Sequence, residues 1–61
     1  MTWTVAVKTK GKGRGYHWYY GHSQGYHSIA AAGTEAQRIV SSVQSMGETV
    51  LSIVINVKED K

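Results

Sequence analysis

Thr34-Glu35-Ala36-Gln37-Arg38-Ile39-Val40-Ser41-Ser42-Val43-Gln44-Ser45-Met46-Gly47 reads as a helix with both ends marked. Thr34 offers a capping hydroxyl, and Gln37 three residues later completes a Thr-x-x-Gln capping box. Ala36, Ile39, Val40, Val43 and Met46 recur at helical spacing and form one apolar stripe, with Glu35, Arg38, Ser42 and Ser45 opposite. Gly47 stands where a left-handed residue ends a helix. A helix with a single apolar stripe has to lay it on something, and the remaining segments read mostly as strands.

Downstream, Thr49–Lys58 alternates an apolar face (Leu51, Ile53, Ile55, Val57) with a mixed one (Val50, Ser52, Val54, Asn56, Lys58). At the other end of the chain, Trp3, Val5 and Val7 alternate with Thr2, Thr4 and Ala6, the period of a half-buried strand. Residues 16–20 form a second strand by their aromatic propensity. Residues 26–31 read as a third, although Ala30, Ala31 and Ala32 fit a helix as readily. Residues 8–15 carry Gly11, Gly13 and Gly15 and read as a flexible connector, and residues 21–25 as a turn. The expected class is α+β in the order β-β-β-α-β, one antiparallel or mixed sheet with a helix packed on one face. A hairpin setting Trp3, Val5 and Val7 opposite Tyr20, Trp18 and Tyr16 places all six in the core with Leu51, Ile53 and Ile55. His17 and Tyr19 then face solvent, joined by Tyr26. A one-residue slip reverses that assignment.

Sixty-one residues make a single domain, with residues 59–61 as a frayed tail. A chain this short buries only about 60% of its unfolded surface, so a partner or second copy is expected to help hold it. The strand Thr49–Lys58, if it lies at an edge, is the segment expected to pair a homodimer. There is no cysteine, which removes disulfides and thiolate zinc sites and suits a reducing cytoplasm. The longest apolar stretch, residues 50–57, is too short to span a bilayer, and the N-terminus lacks the pattern of a secretory signal. The initiating Met and the C-terminal strand suggest a complete small reading frame.

The net charge of +3 is unevenly spread. Lys8, Lys10, Lys12 and Arg14 fall within seven residues, and no acidic residue precedes Glu35. Tyr16-His17-Trp18-Tyr19-Tyr20 follows at once, with Tyr26-His27 close behind. Cations beside stacking-capable rings suit a phosphate backbone and unpaired bases. The alternative reading of the run is a solvated hairpin loop that keeps a small sheet soluble. It lacks the spacing of a Walker loop or a dinucleotide-binding turn, so no nucleotide or other cofactor is expected. His17, His22 and His27 recur every five residues, but strand alternation puts His22 in the turn, and no metal is expected. Glu35, Glu48, Glu59 and Asp60 form no evident pair with a histidine, so no catalytic residues are assigned.

A three-stranded sheet followed by a helix opening on Thr34-Glu35-Ala36 resembles, over roughly residues 3–46, the arm-type DNA-binding domains of integrases and a plant DNA-binding domain of the same element order. Those families read DNA with the sheet face, which implies contacts from Lys8, His17 and Tyr19. The expected function is a small, basic, non-enzymatic binding protein. Its leading partner is nucleic acid, contacted by Lys8, Lys10, Lys12, Arg14, His17, Tyr19 and Tyr26. The alternative is a small protein, of the type encoded by phages and mobile elements, that binds and inhibits or redirects a host protein. A metal-independent ribonuclease using His17 or His27 ranks third.

Overall fold

The computed structural model describes residues 1–13 and 15–58. Four elements follow one another: β1 (Thr2–Lys10), β2 (Tyr16–Tyr20), α1 (Ile29–Ser45) and β3 (Thr49–Lys58). The class is α+β, and the sheet has three strands in the order β2-β1-β3, with both outer strands antiparallel to β1. β2 and β3 therefore run parallel to each other on either side of β1, joined through α1.

The alternation of β1 determines the layering. Val5 and Val7 are buried together with Ala32, Ala36, Ile39 and Val43 of α1, and Trp3, Tyr19, Tyr26, Val40, Val50 and Ile55 close around them. The core thus rests on six small or medium apolar side chains and contains no fully buried ring. At about 1.5–3 kcal/mol for each larger aliphatic group buried, such a core leaves little reserve.

The expected third strand is corrected. Tyr26 forms only an isolated bridge to Trp3, donating its N–H to the Trp3 carbonyl and accepting from the Trp3 N–H, each at 2.8 Å. Helix begins at Ile29 instead, because Ser28 is extended (φ −144°, ψ 156°) and its Oγ accepts from the Ala31 N–H at 3.1 Å. The three alanines that follow have the highest helix propensity of any residue, which outweighs the cost of about 1 kcal/mol at Gly33. Thr34, expected as the cap, lies inside the helix and donates its hydroxyl to the Ala30 carbonyl at 3.1 Å. The element order is β-β-α-β.

At the other end of α1, Gly47 adopts φ 87°. Its N–H reaches the Gln44 carbonyl at 3.0 Å, while the Glu48 N–H reaches Val43 at 3.1 Å. That pair of bonds is a Schellman closure, the ending expected for this glycine. Of the expected stripe, Ala36, Ile39 and Val43 are buried and Val40 is half-buried, whereas Met46 is exposed, one position past the last helical turn.

The hairpin register is also corrected. Ala6 pairs with Tyr20, Lys8 with Trp18 and Lys10 with Tyr16, so even positions oppose even positions. Tyr16, Trp18 and Tyr20 lie on the face away from α1, and Tyr19 and His17 lie on the helix side. β1 runs on to Lys10, so the connector starts at Gly11 and Lys8 belongs to the sheet. On β3, Ser52 opposes Lys8 and Val50 opposes Thr9, leaving Leu51 as a bulge. The extra residue turns Val50 to the helix side and leaves Leu51 exposed, outside the core where its alternation had placed it.

Candidate ligand surface on the open sheet face

α1 covers one side of the sheet, and the even-numbered side chains of β1 and β2 form the other. Tyr16, Trp18 and Tyr20 stand there in a row, 61%, 45% and 70% exposed. The Trp18 and Tyr20 rings are nearly parallel, 17° apart with centroids separated by 6.3 Å. Beside this row runs a second one of Lys8 and Lys10. Lys8 Nζ sits 4.9 Å from the Tyr16 centroid and 5.9 Å from that of Trp18, and Lys10 Nζ sits 5.8 Å from Tyr16. Such cation–π contacts contribute about 0.5–1 kcal/mol at exposed sites and hold the ammonium groups over the rings. Ala6, opposite Tyr20, is too short to obstruct the face.

The other candidate residues are placed differently. Lys12 is exposed in the turn between β1 and β2, and Arg14 lies outside the described residues. His17 is exposed on the helix side, its ring 6.4 Å from that of Tyr19 and tilted by 38°. Tyr19 is half-buried and donates its hydroxyl to Glu48 Oε2 at 2.6 Å. Tyr26, also half-buried, donates to Glu35 Oε2 at 2.9 Å and accepts from the His22 N–H at 2.9 Å. Both of these tyrosines knit elements together from the helix side of the sheet.

Two carboxylates organise that knitting. Glu48 accepts from the fully buried Thr9 hydroxyl at 2.6 Å as well as from Tyr19, so one side chain ties the α1–β3 turn to β1 and β2. Glu35 accepts from Arg38 Nη2 at 2.8 Å, from Arg38 Nε and from Tyr26. The Arg38 hydrogen bonds, aided by the one from Tyr26, hold its pKa down at about 2 against the opposing effect of burial. Among the described residues, no group of three histidine or acidic side chains is arranged to hold a metal ion. Among the same residues, no helix is long and apolar enough to cross a membrane.

Reading β2 from its sequence missed Tyr16, Trp18 and Tyr20 as surface residues. The signal that finds them is the continuation of the β1 alternation through Lys8, Thr9 and Lys10. It shortens the loop to residues 11–15 and sets Lys10 against Tyr16. Comparison with protein-family models, curated proteins and solved structures finds no match to this chain. The resemblance to integrase arm-type domains loses its footing here, since two strands and not three precede the helix.

Proposed function

We propose that the chain is a non-enzymatic nucleic-acid-binding protein that lays a single-stranded segment across its open sheet face. The observation that carries this reading is the pair of lysine ammonium groups held over an exposed row of rings on a face no helix covers. Unpaired bases stack on Tyr16, Trp18 and Tyr20, each such contact contributing about 1–3 kcal/mol. Lys8 and Lys10 meet the phosphates alongside, Lys12 extends the positive charge into the adjoining turn, and Arg14 adds its charge to the same stretch of sequence. Tyr19 and Tyr26 contribute through folding of the sheet more than through contact, and His17, exposed on the helix side, lies off this face.

The test is anisotropy titration of short single-stranded DNA and RNA oligonucleotides across a salt series. With three or four phosphate contacts, log affinity should fall against log salt with a slope of about −2 to −3. Trp18→Ala should weaken binding about five- to 150-fold, with far-UV circular dichroism unchanged. Absence of binding to either strand type, or a Trp18→Ala variant that binds as tightly as the parent, would refute the proposal. A second reading has the same rings anchoring a host protein, favoured by the exposure of a tryptophan and two tyrosines in one row. Salt-insensitive capture of one stoichiometric protein from nuclease-treated lysate would select it. Cleavage of the RNA during titration would point instead to the ribonuclease.

A further inference from the structure

The strand order leaves β3 at an edge, and among the described residues nothing pairs with its outer side. Natural sheets guard such edges with proline, inward charge, bulges or short strands. β2, the other edge, is only five residues long, whereas β3 has ten. From Thr49 to Val57 it carries no charge, and the chain has no proline. Its single bulge lies near its start, so Ser52 to Lys58 is a regular unguarded segment.

Apolar surface accompanies that edge. Ile53 is 50% exposed and Val57 44%, both on the helix side. Ile53 and Ile55 line an open groove of about 630 Å³ against Gly33, Ala36, Val40 and Ser41 of α1. An open edge and an apolar groove on the same flank call for an occupant that supplies a strand and apolar side chains together.

We infer that this flank binds a second copy of the chain, β3 against β3 about a two-fold axis at Ile55. Parity and the bulge select that register. Cross-strand partners must share a face, so residue numbers across the contact must sum to an even number. Seven regular residues from Ser52 to Lys58 have Ile55 at their centre. Ile55 then meets Ile55 of the second copy, Ile53 meets Val57, Val54 meets Asn56 and Ser52 meets Lys58. The two exposed apolar residues of each copy cover each other, and no like charges are opposed. A two-fold contact closes on itself, so the exposed edge yields a dimer and no filament. The product is a six-stranded sheet, both helices on one side and both open faces on the other. With strands about 4.8 Å apart, the two aromatic rows lie about 24 Å from each other at its outer margins.

The test is sedimentation velocity from micromolar to millimolar protein, combined with single-cysteine variants of this cysteine-free chain. The mass should double with concentration, and Ile53→Lys should hold the chain monomeric with unchanged circular dichroism. Ile55→Cys should form a disulfide-linked dimer under mild oxidation, since directly opposed residues have Cα atoms about 4.5–5.5 Å apart. Val54→Cys mixed with Asn56→Cys should cross-link in preference to either alone, a readout independent of how well Ile53→Lys folds. A chain that stays monomeric throughout overturns the inference, as does a dimer in which none of these cysteines links.

Discussion

Replacing Glu48 with alanine removes the carboxylate that accepts from Thr9 and Tyr19, and these two donors fare differently. Tyr19 is half-buried, and its hydroxyl can turn to water. Thr9 is fully buried, so its hydroxyl loses its acceptor with no solvent at hand. Hydrogen bonds to charged groups contribute about 1.5–3 kcal/mol, and an orphaned buried hydroxyl costs about 1–3 kcal/mol. The expected loss is about 2–4 kcal/mol. A domain of this length has about 3–9 kcal/mol in total, so Glu48→Ala should sit near its unfolding transition. In urea melts followed by far-UV circular dichroism, a slope near 1 kcal/mol per molar moves the midpoint down by about 2–4 M. The decisive comparison adds Thr9→Val. Removing both partners of a buried hydrogen bond costs less than removing one, so the double variant should be about 1–2 kcal/mol more stable than the sum of single effects requires. A Glu48→Ala protein within about 0.5 kcal/mol of the parent, or a strictly additive double variant, would refute this account of the clasp.

Acid should weaken the fold through Glu35. Its folded pKa of about 2 lies below the ordinary 4.5, so the stabilisation is complete above the ordinary value and disappears as pH falls through the folded one. Melting temperature should therefore drop between about pH 5 and pH 2, and Glu35→Gln should flatten that drop; exposure of Arg38 to solvent keeps the effect modest. Ser28→Ala should cost about 1 kcal/mol in a urea melt, whereas Thr34→Ala should be neutral or slightly stabilising. The opposite ranking would return the helix start to Thr34.

What the sequence disclosed, and what it concealed, follows from contrast between neighbouring positions. Val5 and Val7 stand between threonine, alanine and lysine, and α1 alternates valine and isoleucine with serine and glutamine, so both buried faces declare themselves. β2 offers no such contrast: Tyr16, Trp18 and Tyr20 share one parity, and Tyr19 the other. Aromatic propensity identifies a strand there without saying which side faces the core. The helix start was obscured differently, since Ser28 and Thr34 are both competent caps, and the earlier one prevails through the three alanines behind it and the burial of Ala32 in one cluster with Val5 and Val7. The bulge at Leu51 leaves no mark in a strand whose neighbours are all apolar or small.

The allocation of side chains across the sheet bears on function. Ala32 and Ala36 occupy the core while Trp18, Tyr16 and Tyr20 stand in solvent. Burying one such ring removes about 150–250 Å² from water, which at about 25 cal/mol per Å² is roughly 4–6 kcal/mol, comparable to the whole stability of a domain this size. With 45% to 70% of each residue still exposed, a chain so short leaves much of that stabilisation unused on the open face, in keeping with the proposal that something outside the monomer uses the rings. Pairing of β3 with a second copy does not account for them, because it joins edges and leaves the open face of each copy uncovered. The two surfaces are therefore independent. A dimer that shields Trp18 from a fluorescence quencher would be built on the rings themselves, against both the edge pairing and the nucleic-acid reading. One that leaves Trp18 accessible, and then protects it when an oligonucleotide is added, would fit both.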